Sequence, residues 1–91
     1  GFQVQELTPD IARELGYEDD DEGVVVSEVD PASVAYEKGL RSGMLIIEVN
    51  RSEVENLRDF KNAVGKRRGK GVLLRVKTRG GTVFMNLPVN D

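Results

Sequence analysis

The chain has 91 residues, 38% of them hydrophobic, with 13 basic and 16 acidic side chains and neither His nor Cys. That is enough for one domain with one small core, and the net charge of −3 gives no electrostatic pull toward nucleic acid. No apolar run approaches the roughly 20 residues a membrane-spanning helix needs, and the absence of Cys removes disulfides, thiol nucleophiles and thiolate metal sites. The chain opens at Gly1 without Met or a signal-like apolar stretch, so it is expected to be a single domain, 1–91, cut from a longer protein.

Phe2 to Glu6 alternates apolar and polar residues, the pattern of a short half-buried strand with Phe2 and Val4 on one face. Thr8-Pro9 then supplies an N-cap and a proline at the first helical position, and Ile11, Ala12 and Leu15 recur at helical spacing until Gly16. The acidic run Glu18 to Glu22 predicts a solvated loop, and Val24 to Val29 predicts a strand. Asp30-Pro31 repeats the cap-then-proline signal, so a second helix is expected from there through Ser33 to about Lys38, ended by Gly39. Leu45 to Val49 is a nearly continuous apolar strand, and Asn50-Arg51-Ser52 turns it toward a short Glu53-Val54 piece. Asn56 caps a third helix with Leu57, Phe60, Ala63 and Val64 as its apolar positions, and Gly65 with Lys66-Arg67-Arg68 suits its carboxyl end. Val72 to Thr78 and Thr82 to Leu87 form a hairpin across Arg79-Gly80-Gly81. The predicted fold is α+β but mainly β: a partly open antiparallel barrel or sandwich of five to six strands carrying two to three helices.

The residues that would do chemistry are missing. With no His or Cys, Ser27, Ser33, Ser42 and Ser52 lack an imidazole, and cap or turn positions already account for Ser33 and Ser42. The Glu18–Glu22 run lacks the ligand spacing and internal glycine of a Ca²⁺ loop, and the basic run from Lys66 to Lys70 has no interleaved aromatic residues. The reading is therefore a noncatalytic domain with no metal and no cofactor. Binding fits better than catalysis. Phe2 and Val4 on a short strand, beside Leu57 and Val64 seven residues apart on one helix side with Phe60 rotated toward the core, describe a groove that an extended peptide can enter as an added strand. Periodicity alone leaves open whether these side chains line a groove or are ordinary core.

Pro31-Ala-Ser-Val-Ala35 followed by Gly39-Leu40-Arg-Ser-Gly43-Met-Leu-Ile46-Ile-Glu-Val49-Asn50 resembles the signature of bacterial PDZ domains. Gly1-Phe2-Gln-Val4, the Leu7-Thr8-Pro9 helix through Gly16 and Gly23-Val-Val-Val26 extend the likeness to the PDZ domains of HtrA (Do-like) serine proteases, most of all the second PDZ domain of the periplasmic members. The resemblance implies a PDZ-like fold, a periplasmic location, and a peptide-binding role for an attached serine protease. It assigns Gly1 and Phe2 to a loop whose N–H groups hold a peptide's terminal carboxylate, and Phe2, Gln3 and Val4 to the strand that the peptide extends. Leu57, Lys61 and Val64 fall on groove-facing helix positions, with Phe2, Val4 and Val64 around the last peptide side chain. The partners implied are hydrophobic C-termini or unfolded segments, the parent protease and other PDZ domains, without nucleic acid or membrane insertion. An alternative role is an assembly module that sets oligomeric state by contacting neighbouring subunits. The sequence departs from the pattern at Met44, where Asp is usual, and at Ala32 and Val34, where Gly and Pro are usual with Asp30 as the expected cap.

Overall fold

A computed structural model describes residues 1–66 and 71–88 of the chain. Six strands, β1 (Phe2–Glu6), β2 (Val24–Val29), β3 (Leu45–Val49), β4 (Ser52–Glu53), β5 (Val72–Thr78) and β6 (Gly81–Leu87), alternate with three helices, α1 (Pro9–Leu15), α2 (Val34–Glu37) and α3 (Leu57–Gly65). The strands form one antiparallel sheet in the order β1-β2-β3-β5-β6, with β4 paired to β3. β1 and β6 are the two ends of that order, so the sheet stays open and the expected mainly-β fold is the one found.

Local signals placed most of these boundaries. Thr8 Oγ1 accepts the Ile11 N–H, Pro9 occupies the first helical turn, and Gly16 ends α1 in the left-handed conformation at φ 84°. Asn56 caps α3 by accepting the Asp59 N–H at 2.9 Å. The second helix differs from the expectation. Ser33, not Asp30, is its cap, with Oγ accepting the Tyr36 N–H, so α2 starts at Val34 and is a single turn. Asp30 turns the chain ahead of it: its Oδ1 accepts the Ala32 N–H and its C=O accepts from both the N–H and the hydroxyl of Ser33. A carboxylate engaged two residues on cannot also cap a helix that begins four residues on. Two smaller corrections follow from pairing: β4 is Ser52–Glu53 with Val54 buried beyond it, and Gly81 pairs with Thr78, which leaves Arg79-Gly80 as the hairpin turn. Gly65 and Lys66 stand at the carboxyl end of α3 as expected, Gly65 as its last residue and Lys66 as the cap. The expectation for Arg67 to Lys70 lies outside the described residues.

The main core gathers Val24, Val26, Leu40, Ile46, Val49, Val54, Leu74 and Val76, all at most 1% exposed, with Ala35, Met85 and Leu87. Ala12, Val25 and Leu45 are buried outside it, because Val25 and Leu45 pair on the opposite sheet face, where α1 lies. β2 serves both faces by alternation, and a bulge near its end shifts the phase. Gln3 pairs with Glu28 but Val4 pairs with Val26, so Ser27 has no opposite number and the alternation of β2 is re-phased there. Val26 and Val29 therefore both turn inward, while Glu28 is exposed.

The turn carrying Met44 is closed by backbone hydrogen bonds. Gly43 N–H donates to Val26 C=O at 2.8 Å, Val26 N–H donates to Met44 C=O at 2.9 Å, and the Met44 side chain packs on the core. A long loop is held down by side chains. Tyr17 Oη lies 2.8 Å from Gly43 C=O and 3.1 Å from Lys77 C=O, and Lys77 Nζ meets Asp21 Oδ1 at 2.5 Å. The hydrogen bond from Lys77 holds the Asp21 carboxyl below its ordinary pKa of 3.8, and the same pair raises Lys77.

Asp21→Asn is therefore expected to cost about 1 kcal/mol at neutral pH, since the pair is only partly shielded from water. A depressed carboxyl pKa stabilises above its unfolded value and ceases to as pH falls through the folded one. The gap between wild type and variant in urea denaturation should thus close below pH 3.8. Gly23 gives a second check: at φ 143°, a Cβ there would sit 2.5 Å from the Ile46 carbonyl oxygen. Gly23→Ala should lower stability by about 1–3 kcal/mol, whereas Gly65→Ala, helical with nothing within 4 Å, should raise it by about 0.5 kcal/mol.

Candidate functional site

β1 hydrogen-bonds β2 on one side only. The Gly1 C=O accepts from the Asp30 N–H at 2.9 Å, which turns the backbone groups of Gly1 toward β2. Antiparallel alternation then turns those of Gln3 the same way and sends the N–H and C=O of Phe2 and Val4 to the open edge. Such an edge is a template for one more strand.

α3 stands beside that edge. The Glu6 Oε1 accepts the Leu57 N–H at 2.7 Å, fastening the end of β1 to the first turn of the helix across 51 residues of sequence. Further along, the rings of Phe2 and Phe60 meet edge to face, 6.5 Å between centroids at 69°. Phe2, Val4, Leu57, Phe60, Ala63 and Val64 are all half-buried and pack on the main core. They form a partly covered apolar surface where strand and helix meet.

The structure thus brings Phe2, Val4, Leu57 and Val64 together. Gln3 and Lys61 are exposed, with Gln3 on the outer sheet face opposite Glu28. Gly1 and Phe2 line a small cavity of about 110 Å³ with Ser33, Val34, Ala35, Leu87 and Pro88. Phe60 packs against the core as its helical angle suggested, half-buried, and its ring also meets that of Phe2. Glu6 and Phe60 are the site residues that sequence reasoning missed. Phe60 belongs to the predicted apolar stripe, so that stripe was its signal; Glu6 had none, because its partner is far away in the chain. Among the described residues no group of three or more His, Cys, Asp or Glu is placed to hold a metal ion. The chemistry on offer is backbone hydrogen bonding beside an apolar trough.

The architecture is that of a small open-sheet domain with one edge strand walled by a helix. The family model of the PDZ domain matches residues 1–78, and the chain belongs to that family. The match is to a noncatalytic module. Its relatives include the probable periplasmic serine endoprotease DegP-like of Chlamydia pneumoniae, 36% identical over 76 residues, which are 84% of this chain and 16% of that protein. The protein of the same description from Brucella suis biovar 1 is 39% identical over 76 residues, 80% of this chain and 15% of the relative. The chain therefore spans about a sixth of the length of these relatives. Among solved structures, the HtrA-type protease AlgW with a decapeptide superposes with TM-score 0.83 at 30% identity, over 99% of this chain and 28% of that one. The HtrA3 PDZ domain bound to the phage-derived ligand FGRWV shares the fold, with TM-score 0.78 at 23% identity over 97% of this chain and 80% of that one.

Glu6→Ala removes an acceptor from the start of α3 and should cost about 1 kcal/mol in urea denaturation, with the Leu57 amide resonance moving most. Glu6→Gln keeps an oxygen acceptor and should retain most of that stability.

Proposed function

We propose that this domain captures hydrophobic C-termini or unfolded segments by strand addition and presents them to a periplasmic HtrA-type serine protease of which it is a part. The chain, 1–91, is in this reading one PDZ domain of that longer protein, the second. The observation that carries the proposal is the open edge of β1 at Phe2 and Val4, lying beside the half-buried Leu57 and Val64 of α3. Peptide-bound neighbours and relatives named as periplasmic endoproteases support it. An added strand would take its hydrogen bonds from Phe2 and Val4, and its last side chain would lie against Phe2, Val4 and Val64. The terminal carboxylate would lie at Gly1 and Phe2, where the Phe2 N–H faces the edge, and Leu57 and Lys61 would border the rest of the peptide.

A free-acid peptide ending in an aliphatic or aromatic residue is expected to bind with a Kd on the order of micromolar, about −8 kcal/mol. Backbone amide shifts should concentrate at Phe2, Val4, Leu57 and Val64. The C-terminally amidated peptide should bind about tenfold more weakly, through loss of a charge-assisted hydrogen bond. Val64→Glu should abolish binding with the fold retained, by placing a carboxylate where the last side chain sits. Shifts confined to β5 and β6 would reject the groove. A mass that rises with concentration, with no response to peptide, would support the assembly role instead.

A further inference from the structure

β1 has an outer face that the apolar trough does not use. A strand added to β1 must alternate its side chains, so a peptide whose last residue lies against Phe2 turns its penultimate side chain to the face that carries Gln3. The bulge at Ser27 sets what stands there. By re-phasing β2 it places Glu28 directly across from Gln3 and exposed, and two residues on Asp30 lies across from Gly1, which has no side chain to screen it from the edge. Gly1, Phe2, Gln3, Glu28, Asp30 and Pro31 together line an open cleft of about 420 Å³ at the carboxylate end of the groove. Asp30 is held in place, its Oδ1 accepting the Ala32 N–H at 2.9 Å.

Charge decides the occupant. The ion pairs among the described residues are Arg13–Asp10, Arg75–Glu48 and Lys77–Asp21, so Glu28 and Asp30 are both without a cationic side-chain partner. A peptide's terminal carboxylate arriving at Gly1 and Phe2 brings a third negative charge beside them. A cation on the same peptide is attracted by all three. Neighbouring strands lie about 4.8 Å apart, so Glu28 is about 10 Å from an added strand, a span closed when the flexible stem of Lys or Arg lies across Gln3 toward the glutamate.

Resting on the peptide-binding reading above, we infer that Glu28 and Asp30 make this domain select peptides with Lys or Arg as the next-to-last residue.

The test uses three free-acid peptides identical except for Lys, Ala or Glu before a terminal Val, titrated at low and at high salt. The Lys peptide should bind about two- to fivefold tighter than the Ala peptide and the Glu peptide weaker by a similar factor, with both differences shrinking at high salt. The Glu28→Gln/Asp30→Asn variant keeps the shape and the Asp30 turn acceptor; it should bind the Ala peptide somewhat tighter than wild type does, because two negative charges beside the terminal carboxylate are gone, and treat the three alike. Equal affinities for the Lys and Glu peptides in wild type, or discrimination that survives in the variant, would overturn the selection while leaving the groove standing. Failure of all three peptides to shift Phe2 and Val4 would overturn the groove, and the selection with it.

Discussion

An antiparallel sheet that does not close must leave two rows of backbone donors and acceptors unpaired, and one of those rows belongs to β1. Much of the local chemistry can be read as the management of that row. β1 is only five residues long, and Gln3, Gln5 and Glu6 are exposed, which discourages indiscriminate pairing. α3 stands along the edge, held at one end by the Glu6 to Leu57 hydrogen bond and further along by the Phe2–Phe60 contact. The edge stays open beside the helix.

The frame behind the edge is rigid for reasons that do not involve the edge itself. Asn50 clasps β5 twice, its N–H donating to the Leu73 C=O at 2.7 Å and its Oδ1 accepting the Leu73 N–H at 2.8 Å. Arg41 closes the end of α2 by donating to the carbonyls of Tyr36 and Leu40, its guanidinium 3.5 Å from the centroid of the Tyr36 ring. Arg79, in the β5–β6 turn, donates to the Leu15 carbonyl at the end of α1. Each contact satisfies a carbonyl or amide that a turn or helix end would otherwise leave bare. Together they tie the helices and turns to the sheet on which β1 lies.

What the sequence disclosed, and what it hid, follow from the range of the forces involved. Thr8, Gly16 and Asn56 act on backbone within four residues of themselves, so the bounds of α1 and the start of α3 were legible. Asp30 and Ser33 offered two competing local caps, and the sequence could not rank them, because the choice depends on which oxygen the turn at Pro31 leaves free. The Ser27 bulge was invisible to alternation, since it is defined by what lies across from it. Glu6 was invisible too, and Phe60 was assigned by helical angle alone, which fixes the direction from the axis but not the neighbour found there. Phe2, Val4, Leu57 and Val64 were legible as apolar stripes, and all four are half-buried against the core.

The Glu6–Leu57 contact has a consequence for the order in which the domain comes together. It spans 51 residues, whereas β5 and β6 close over a two-residue turn. Closing the longer span costs more chain entropy, so the hairpin can form early while the strand and helix beside the open edge must wait for most of the polypeptide to be in place. A partly folded molecule then holds the scaffold without the receptor. In a refolding chain the open edge and its helix are therefore completed after the hairpin.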